Sequence, residues 1–190
     1  MTGIILAAGL SSRMGKNKLL LPFGSKTILA SSIENAISAI GHVIVVTGND
    51  REQTESIAAA YNIDSIYCPD YRKGQLASML KGIESIGNDD FAIIPGDLPM
   101  IAGSDFRKAM ELLSSYDAVR PEHKGTPGHP VMFRKENRES ILEGRLPLKE
   151  YLKSIRTGLF EGSIGTILDA DTPEAYARLL AIYGDPAIGN

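Results

Sequence analysis

Short apolar runs alternate with amphipathic segments along most of this chain. "GIILAAG" (3–9) and "HVIVVTG" (42–48) are nearly continuous apolar stretches of strand length, the pattern of strands covered on both faces of a parallel sheet. "SIYCP" (65–69) and "FAIIPGD" (91–97) predict two more strands. Between them the apolar positions change to helical spacing: 26–40, with Ile28, Leu29, Ile33, Ala36, Ile37 and Ile40, then 50–61 and 75–86. A further helix is expected over 104–115, with Ser104 as its N-cap. The second half is less regular. "DAVRPEH" and "HPVMFR" predict strands around the turn "GTPG". Short helices follow at 136–143 and 147–154, then strands near 158–169 and a last helix opened by Pro173.

An alternation of strands and helices in this order implies right-handed crossovers and a parallel sheet. The expected fold is α/β: a three-layer α/β/α sandwich around a mostly parallel, Rossmann-like sheet, built as one domain over residues 1–190. No repeat, low-complexity tract or linker-like stretch divides it. Ligands of such sheets bind beyond the carboxyl ends of the strands, which directs attention to Gly9, Thr47, Pro69 and Asp97.

Composition narrows the partners. A net charge of −3 argues against a general nucleic-acid surface, so any anionic ligand has to be met by local positive charge. The single cysteine, Cys68, has no partner for an internal disulfide and lies in a strand pattern, which fits a packed thiol in a reducing compartment. No apolar run approaches the roughly 20 residues of a membrane span, and no signal-peptide pattern is present. The expectation is a cytoplasmic protein with no membrane contact.

Positive charge is concentrated in "LAAGLSSRMGKNK" (6–18), directly after the first strand. It is not a Walker A loop: five residues separate Gly9 from Gly15, and Asn17 stands where Ser or Thr would bind magnesium. Gly9 and Gly15 still allow a tight path on which backbone N–H groups converge on an anion, with Arg13 and Lys18 supplying charge. A helix following the loop is expected to lend its N-terminal dipole. Asp97 ends an apolar strand, where a carboxylate suits Mg²⁺; a local turn aspartate is the alternative. "ILDADTP" offers Asp169 and Asp171, placed on one face if the strand pattern continues. Asp171 or Thr172 can instead cap the helix at Pro173. The three histidines (42, 123 and 129) have no spacing suited to zinc. His129, in "GTPGHPV", is either a hydrogen-bonding group for an acceptor substrate or a structural turn residue.

"LAAGLSSRMGKNKLLLPFGSKTIL" resembles the signature of the MobA-like nucleotidyltransferases, x-L-A-[AG]-G-x-S-x-R-M-G-x-x-K. "CPDYRKGQLASMLKGIE", "PGDLPMI", "GTPGHPVMF" and "LDADTPEAY" resemble the family's later blocks, in the same order. The chain is most similar to the branch that cytidylylates molybdenum cofactor. That resemblance implies transfer of CMP from CTP to molybdopterin-bound molybdenum, with release of pyrophosphate and with Mg²⁺ as cofactor. It also implies CTP and a molybdopterin-type cofactor as partners, with transient contact to a molybdenum hydroxylase. Arg13, Lys18 and Asp97 are then catalytic. Leu6, Ala7, Ala8, Gly9, Arg13, Gly15, Lys18, Gly74 and Ser78 bind the nucleotide, the last two near the base. Asp97 and one of Asp171 and Asp169, with Asp171 preferred, hold the metal, and His129 faces the acceptor.

Guanylyl-transferring relatives usually carry L-A-G-G where this chain has L-A-A-G, so the Ala8 methyl narrows the base pocket in favour of a pyrimidine. One departure concerns the acceptor. Relatives carry G-D-x-G-A-R near "EGRLPLKEYL", which this chain lacks, with Arg145 and Lys149 as replacement charge. A sugar phosphate or other phosphate acceptor, a nucleotide-sugar glycosyltransferase, and a non-catalytic nucleotide sensor or cofactor chaperone are the rival readings. The presence of Asp97, Asp169 and Asp171 favours an enzyme.

Overall fold

The computed structural model, described for residues 1–184, realises the alternation strand by strand. The first half runs β1 (Thr2–Ala7), a short hairpin of β2 (Pro22–Phe23) and β3 (Lys26–Thr27), α1 (Ile28–Ile40), β4 (Val43–Thr47) and α2 (Arg51–Ala60). It continues through β5 (Asp64–Tyr67), α3 (Gln75–Glu84), β6 (Phe91–Pro95) and α4 (Gly103–Leu113). Then come β7 (Ala118–His123), β8 (Thr126–Pro127), β9 (Val131–Phe133), α5 (Asn137–Gly144), α6 (Leu148–Ser154), β10 (Thr157–Glu161) and α7 (Pro173–Tyr183). The expected single domain extends to residue 190, and 185–190 lie outside the described residues.

Eight strands form one sheet in the order β10-β7-β9-β6-β1-β4-β5, with β8 beside β7. β6, β1, β4 and β5 are mutually parallel, β10 is parallel to β7, and β9 runs antiparallel between β6 and β7. Side chains alternate across the sheet as the period of a strand requires. Ile5, Val43 and Val45 pack with Ile28 and Ile33 of α1, Phe106 of α4 and Leu179 of α7. Ile4, Ile44 and Val46 pack on the other face with Met79 and Ile83 of α3, Ile141 of α5 and Leu152 of α6. Each such fully buried aliphatic or phenyl group is worth about 1.5–3 kcal/mol of hydrophobic stabilisation. The result is the expected three-layer sandwich. Cys68 is buried in the second of these clusters, as a packed thiol. Among the described residues no helix is long and apolar enough to cross a membrane.

Three local expectations are corrected. Ser104 is not the N-cap of α4. The helix begins one residue earlier, and Asp105 reaches back to accept the Ala102 N–H at 3.1 Å. The same buried carboxylate accepts the Ser163 N–H and hydroxyl at 2.9 and 2.6 Å, so it joins α4 to the chain beyond β10. Of the strands expected near 158–169 only one forms, and it stops at Glu161. The chain then tightens into a 3-10 turn, Ile164–Thr166, and passes so close to Met100 that a Cβ on Gly165 would lie 1.8 Å from the Met100 carbonyl oxygen. Finally, no α-helix follows the phosphate-loop candidate directly. Lys18–Leu20 form a 3-10 turn capped by Asn17, whose Oδ1 accepts the Leu19 N–H at 3.0 Å. The β2–β3 hairpin comes next, and α1 starts only after Thr27, its N-cap.

The C-terminal helix closes back on that hairpin. Thr172 caps α7 by accepting the Ala175 N–H at 3.2 Å, and Pro173 occupies the first turn. The Tyr176 hydroxyl donates to the Pro22 carbonyl at 2.6 Å, and the Tyr183 and Phe23 rings lie with centroids 4.1 Å apart.

Close packing of α3 on the sheet depends on Gly82. A Cβ there would sit 2.4 Å from Ile4 Cγ2 and 3.0 Å from Val46 Cγ2. Gly82→Val is expected to destabilise the fold by about 1–3 kcal/mol through overpacking, read as a lower midpoint in urea unfolding.

Candidate active site

At the carboxyl edge of the sheet, the turn after β6 is pinned to the end of β1 by the Gly96 N–H, which donates to the Leu6 carbonyl at 3.0 Å. Above them opens a cleft of about 610 Å³, a volume ordinary for a small-molecule site. Leu6, Ala8, Gly9, Arg13, Lys18, Gly74, Ser78, Asp97, His129, Asp169 and Asp171 all line it. Residues scattered over most of the sequence therefore meet in one place.

Ala7 and Gly15 do not line the cleft. Strand alternation turns Ala7 into the core on the α1 face, and Gly15 makes a turn at positive φ (66°) on the outer part of the loop. Thr47 is buried beneath the edge, donating to Glu55 at 3.2 Å, and Pro69 is also outside the lining. Arg145 and Lys149 are exposed elsewhere and bring no charge to the site.

The centre is ionic. Lys18 Nζ donates to both Asp97 Oδ2 and Asp171 Oδ1, while Arg13 donates to the other oxygen of Asp171. Asp97 stands in the turn just past β6 rather than on the strand itself. Burial by itself would lower the Lys18 pKa, but the two carboxylates outweigh it and hold the ammonium above its usual value. Burial would raise the Asp171 pKa, yet Lys18 and then Arg13 bring it below the usual carboxylate range. Asp169 goes the other way: burial, with the charges of Asp171 and Asp97, pushes it up. Its Oδ1 accepts the Asp171 N–H at 3.1 Å, which orients the neighbouring residue. Neither aspartate lies on a strand, but Leu168 and Ala170 are buried in the core in alternation with them, and both aspartates line the cleft as expected. Because Thr172 caps α7, Asp171 is free to face the cleft.

Residues 3–161 match the MobA-like NTP transferase domain. The chain belongs to that family. It is 34% identical over 182 residues to a molybdenum cofactor cytidylyltransferase from Escherichia coli K12, covering 91% of this chain and 92% of that one. It is also 31% identical to the purine catabolism protein PucB of Bacillus subtilis 168, covering 92% and 93%. A solved structure from Mycobacterium tuberculosis H37Rv superposes with a TM-score of 0.81 at 25% identity, covering 95% of this chain and 96% of that one. The MobA-like match ends before Asp169 and Asp171, so the charge cluster is completed by a segment beyond it.

Opposite the ionic centre, this MobA-like chain presents the first turn of α3. Gly74 precedes it at φ 105° and supplies no capping side chain, so the helix N-terminus is bare toward the cleft. Ser78 sits one turn on, buried against the cleft wall rather than on a solvated face. Sequence reasoning missed Tyr71 and Arg72 beside it, although "YRKG" placed two basic residues before the glycine, of which Arg72 lines the cleft. It also missed Thr126, Pro127, Thr166 and Ile167, which line the cleft near His129.

His129 is fixed from both sides. Its N–H donates to the Thr166 carbonyl at 2.9 Å, and Arg120 clamps the preceding Gly128 carbonyl at 2.9 and 3.2 Å. Among the described residues its buried ring Nδ1 has no hydrogen-bond partner. Burial, then the charge of Arg120, pushes the imidazole pKa down to about 4. The ring is neutral at pH 7 and offers a hydrogen bond without a charge. In the unfolded chain it takes up a proton below its ordinary value of 6.5, whereas in the folded protein it does so only near 4. Stability is therefore expected to fall by about 1 kcal/mol per pH unit as pH drops between these values. Urea midpoints measured against pH for wild type and His129→Gln check this, since the variant lacks that component.

Proposed function

We propose that this chain transfers CMP from CTP to the terminal phosphate of molybdopterin-bound molybdenum, releasing pyrophosphate. The observation that carries the reading is the Arg13–Asp171–Lys18–Asp97 cluster at the mouth of a nucleotide-sized cleft. The similarity to the Escherichia coli cytidylyltransferase over nine-tenths of both chains supports it.

In the reaction an acceptor phosphate oxygen attacks the α-phosphorus of CTP, and the bond to the β-phosphate oxygen breaks. The attacking oxygen is already anionic near neutral pH, so no strong general base is needed; positioning and charge compensation do most of the work. Lys18 and Arg13 hold the triphosphate and stabilise the leaving pyrophosphate. Asp97 and Asp171 fit a Mg²⁺ ion: two hard carboxylates already converge on one cation, and such an ion commonly takes one or two carboxylates with phosphate and water. When bound there, it supplies charge neutralisation at the reacting phosphates. Ala8, Gly74 and Ser78 border the base, and the neutral His129 hydrogen-bonds the acceptor. Transient contact with a molybdenum hydroxylase belongs to the same proposal, with no residue assigned to it.

A second reading keeps the chemistry and changes the acceptor to a sugar phosphate or another phosphate ester. It is favoured by Arg145 and Lys149 standing outside the cleft, so the replacement charge expected for the missing family run is not delivered there.

Turnover of molybdenum cofactor with CTP, GTP, ATP and UTP separately, followed by pyrophosphate release, tests the proposal. CTP is expected to be preferred, and no turnover with any nucleotide would sink it. Labelled CTP offered to alternative acceptors separates the second reading. Lys18→Met and Asp97→Asn are each expected to lower turnover by about 100-fold or more with the fold retained by circular dichroism. Ala8→Gly is expected to raise the GTP-to-CTP ratio of kcat/KM by about 10-fold or more, the scale of one methyl group in a pocket. An unchanged ratio would remove Ala8 from the specificity argument.

A further inference from the structure

The carboxylates assigned above to the metal are already engaged. Lys18 bridges Asp97 and Asp171, and Arg13 holds the remaining oxygen of Asp171. The Lys18 and Asp97 side chains keep only 15% and 13% of their exposure, so this is not a solvent-screened surface pair. Arg13 and Lys18 balance the charges of Asp97 and Asp171, and Asp169 is a third carboxyl beside them. A divalent ion arriving alone has to displace an ammonium held by two carboxylates. It would then leave a largely buried cation unpaired, which is costly.

A nucleoside triphosphate changes that balance. Its phosphate oxygens give Lys18 and Arg13 new partners and release the two carboxylates together. Lysine suits this exchange, because a point charge on a flexible four-carbon stem can move while its backbone stays fixed. The Lys18 backbone is fixed here: its N–H donates to Ser11 Oγ at 3.2 Å, and the residue starts the turn capped by Asn17. We propose that Lys18 is a built-in place-holder for the metal, so that divalent metal and nucleoside triphosphate bind with positive coupling and the metal does not fill the Asp97–Asp171 pair alone. The proposal rests on the assignment of that pair as metal ligands. The coupling is reciprocal: whatever factor the nucleotide adds to metal affinity, the metal adds to nucleotide affinity. No covalent bond changes in the exchange.

The test titrates Mn²⁺ into the full chain, following free Mn²⁺ by electron paramagnetic resonance. Titrations are run with and without the non-transferable α,β-methylene analogue of CTP, and corrected for Mn²⁺ held by the analogue itself. In wild type the analogue is expected to tighten Mn²⁺ by about 10-fold or more, within the usual range of coupling between sites. Lys18→Met keeps the stem and removes the charge. It is expected to bind Mn²⁺ without nucleotide about 10-fold tighter than wild type, with the coupling reduced. Equal Mn²⁺ affinity in the two proteins without nucleotide, or no coupling in wild type, overturns the proposal. If Lys18→Met loses its helical circular dichroism, Lys18→Gln measured in the same way decides. The double variant Lys18→Met/Asp97→Asn separates the two levels. Loss of the Mn²⁺ gained by Lys18→Met upholds the ligand assignment, whereas its retention overturns that assignment and the place-holder with it.

Discussion

One ammonium group shared between two carboxylates organises this molecule. Lys18 meets Asp97 and Asp171 across 79 and 153 residues of sequence. Each partner arrives by a different route: one from the turn after β6, the other from the segment between the last 3-10 turn and α7. An ion pair as little exposed as Lys18 and Asp97 is tolerable only if its charges are balanced and its geometry is held. The sheet provides the holding. Parallel pairing of β1 with β6 sets the two loops side by side, and the bond from the Gly96 N–H to the Leu6 carbonyl fixes the turn that carries Asp97. Hydrophobic burial on both faces of the sheet thus serves the site by making its floor rigid.

Much of this was legible in the sequence because it follows from periodicity. Buried parallel strands read as continuous apolar runs, and Val43 to Val46 show why: successive side chains enter opposite cores, so no polar face is left to mark alternation. The cleft residues with distinctive chemistry, Lys18, Asp97 and His129, stood in short blocks at strand ends and were found there. What escaped were choices made by tertiary contacts. Asp105 outcompetes Ser104 at the start of α4 because its carboxylate also serves Ser163, a residue far away in sequence. Ile164 to Leu168 look apolar enough for a strand, but the tight passage of Gly165 along Met100 takes the chain off the sheet. Ala7 and Gly15 were placed in the site by their motif, yet the strand pleat and the loop path turn them away from it.

Asn17 shows how a misleading signal resolves. In a Walker loop its position would carry a metal-binding hydroxyl. Here its side chain starts the turn that aims Lys18, and the proposed function gives the metal-binding task to carboxylates on other loops. A division of labour of the same kind occurs at the other end of the chain. Thr172 takes the capping role that Asp171 could have filled, and Asp169 steadies the backbone of Asp171. Function at these positions rests on a neighbour relieving the key residue of structural duty.

The contact of α7 with the β2–β3 hairpin gives the site a mechanical character. The hairpin continues directly from the turn that bears Lys18, and α7 continues directly from Asp171, so Tyr176 and Tyr183 clasp together the two segments that carry those side chains. Asp97 belongs to neither segment; it is anchored to the sheet. The clasp therefore ties the position of Lys18 to that of Asp171, while Asp97 takes its position from the sheet.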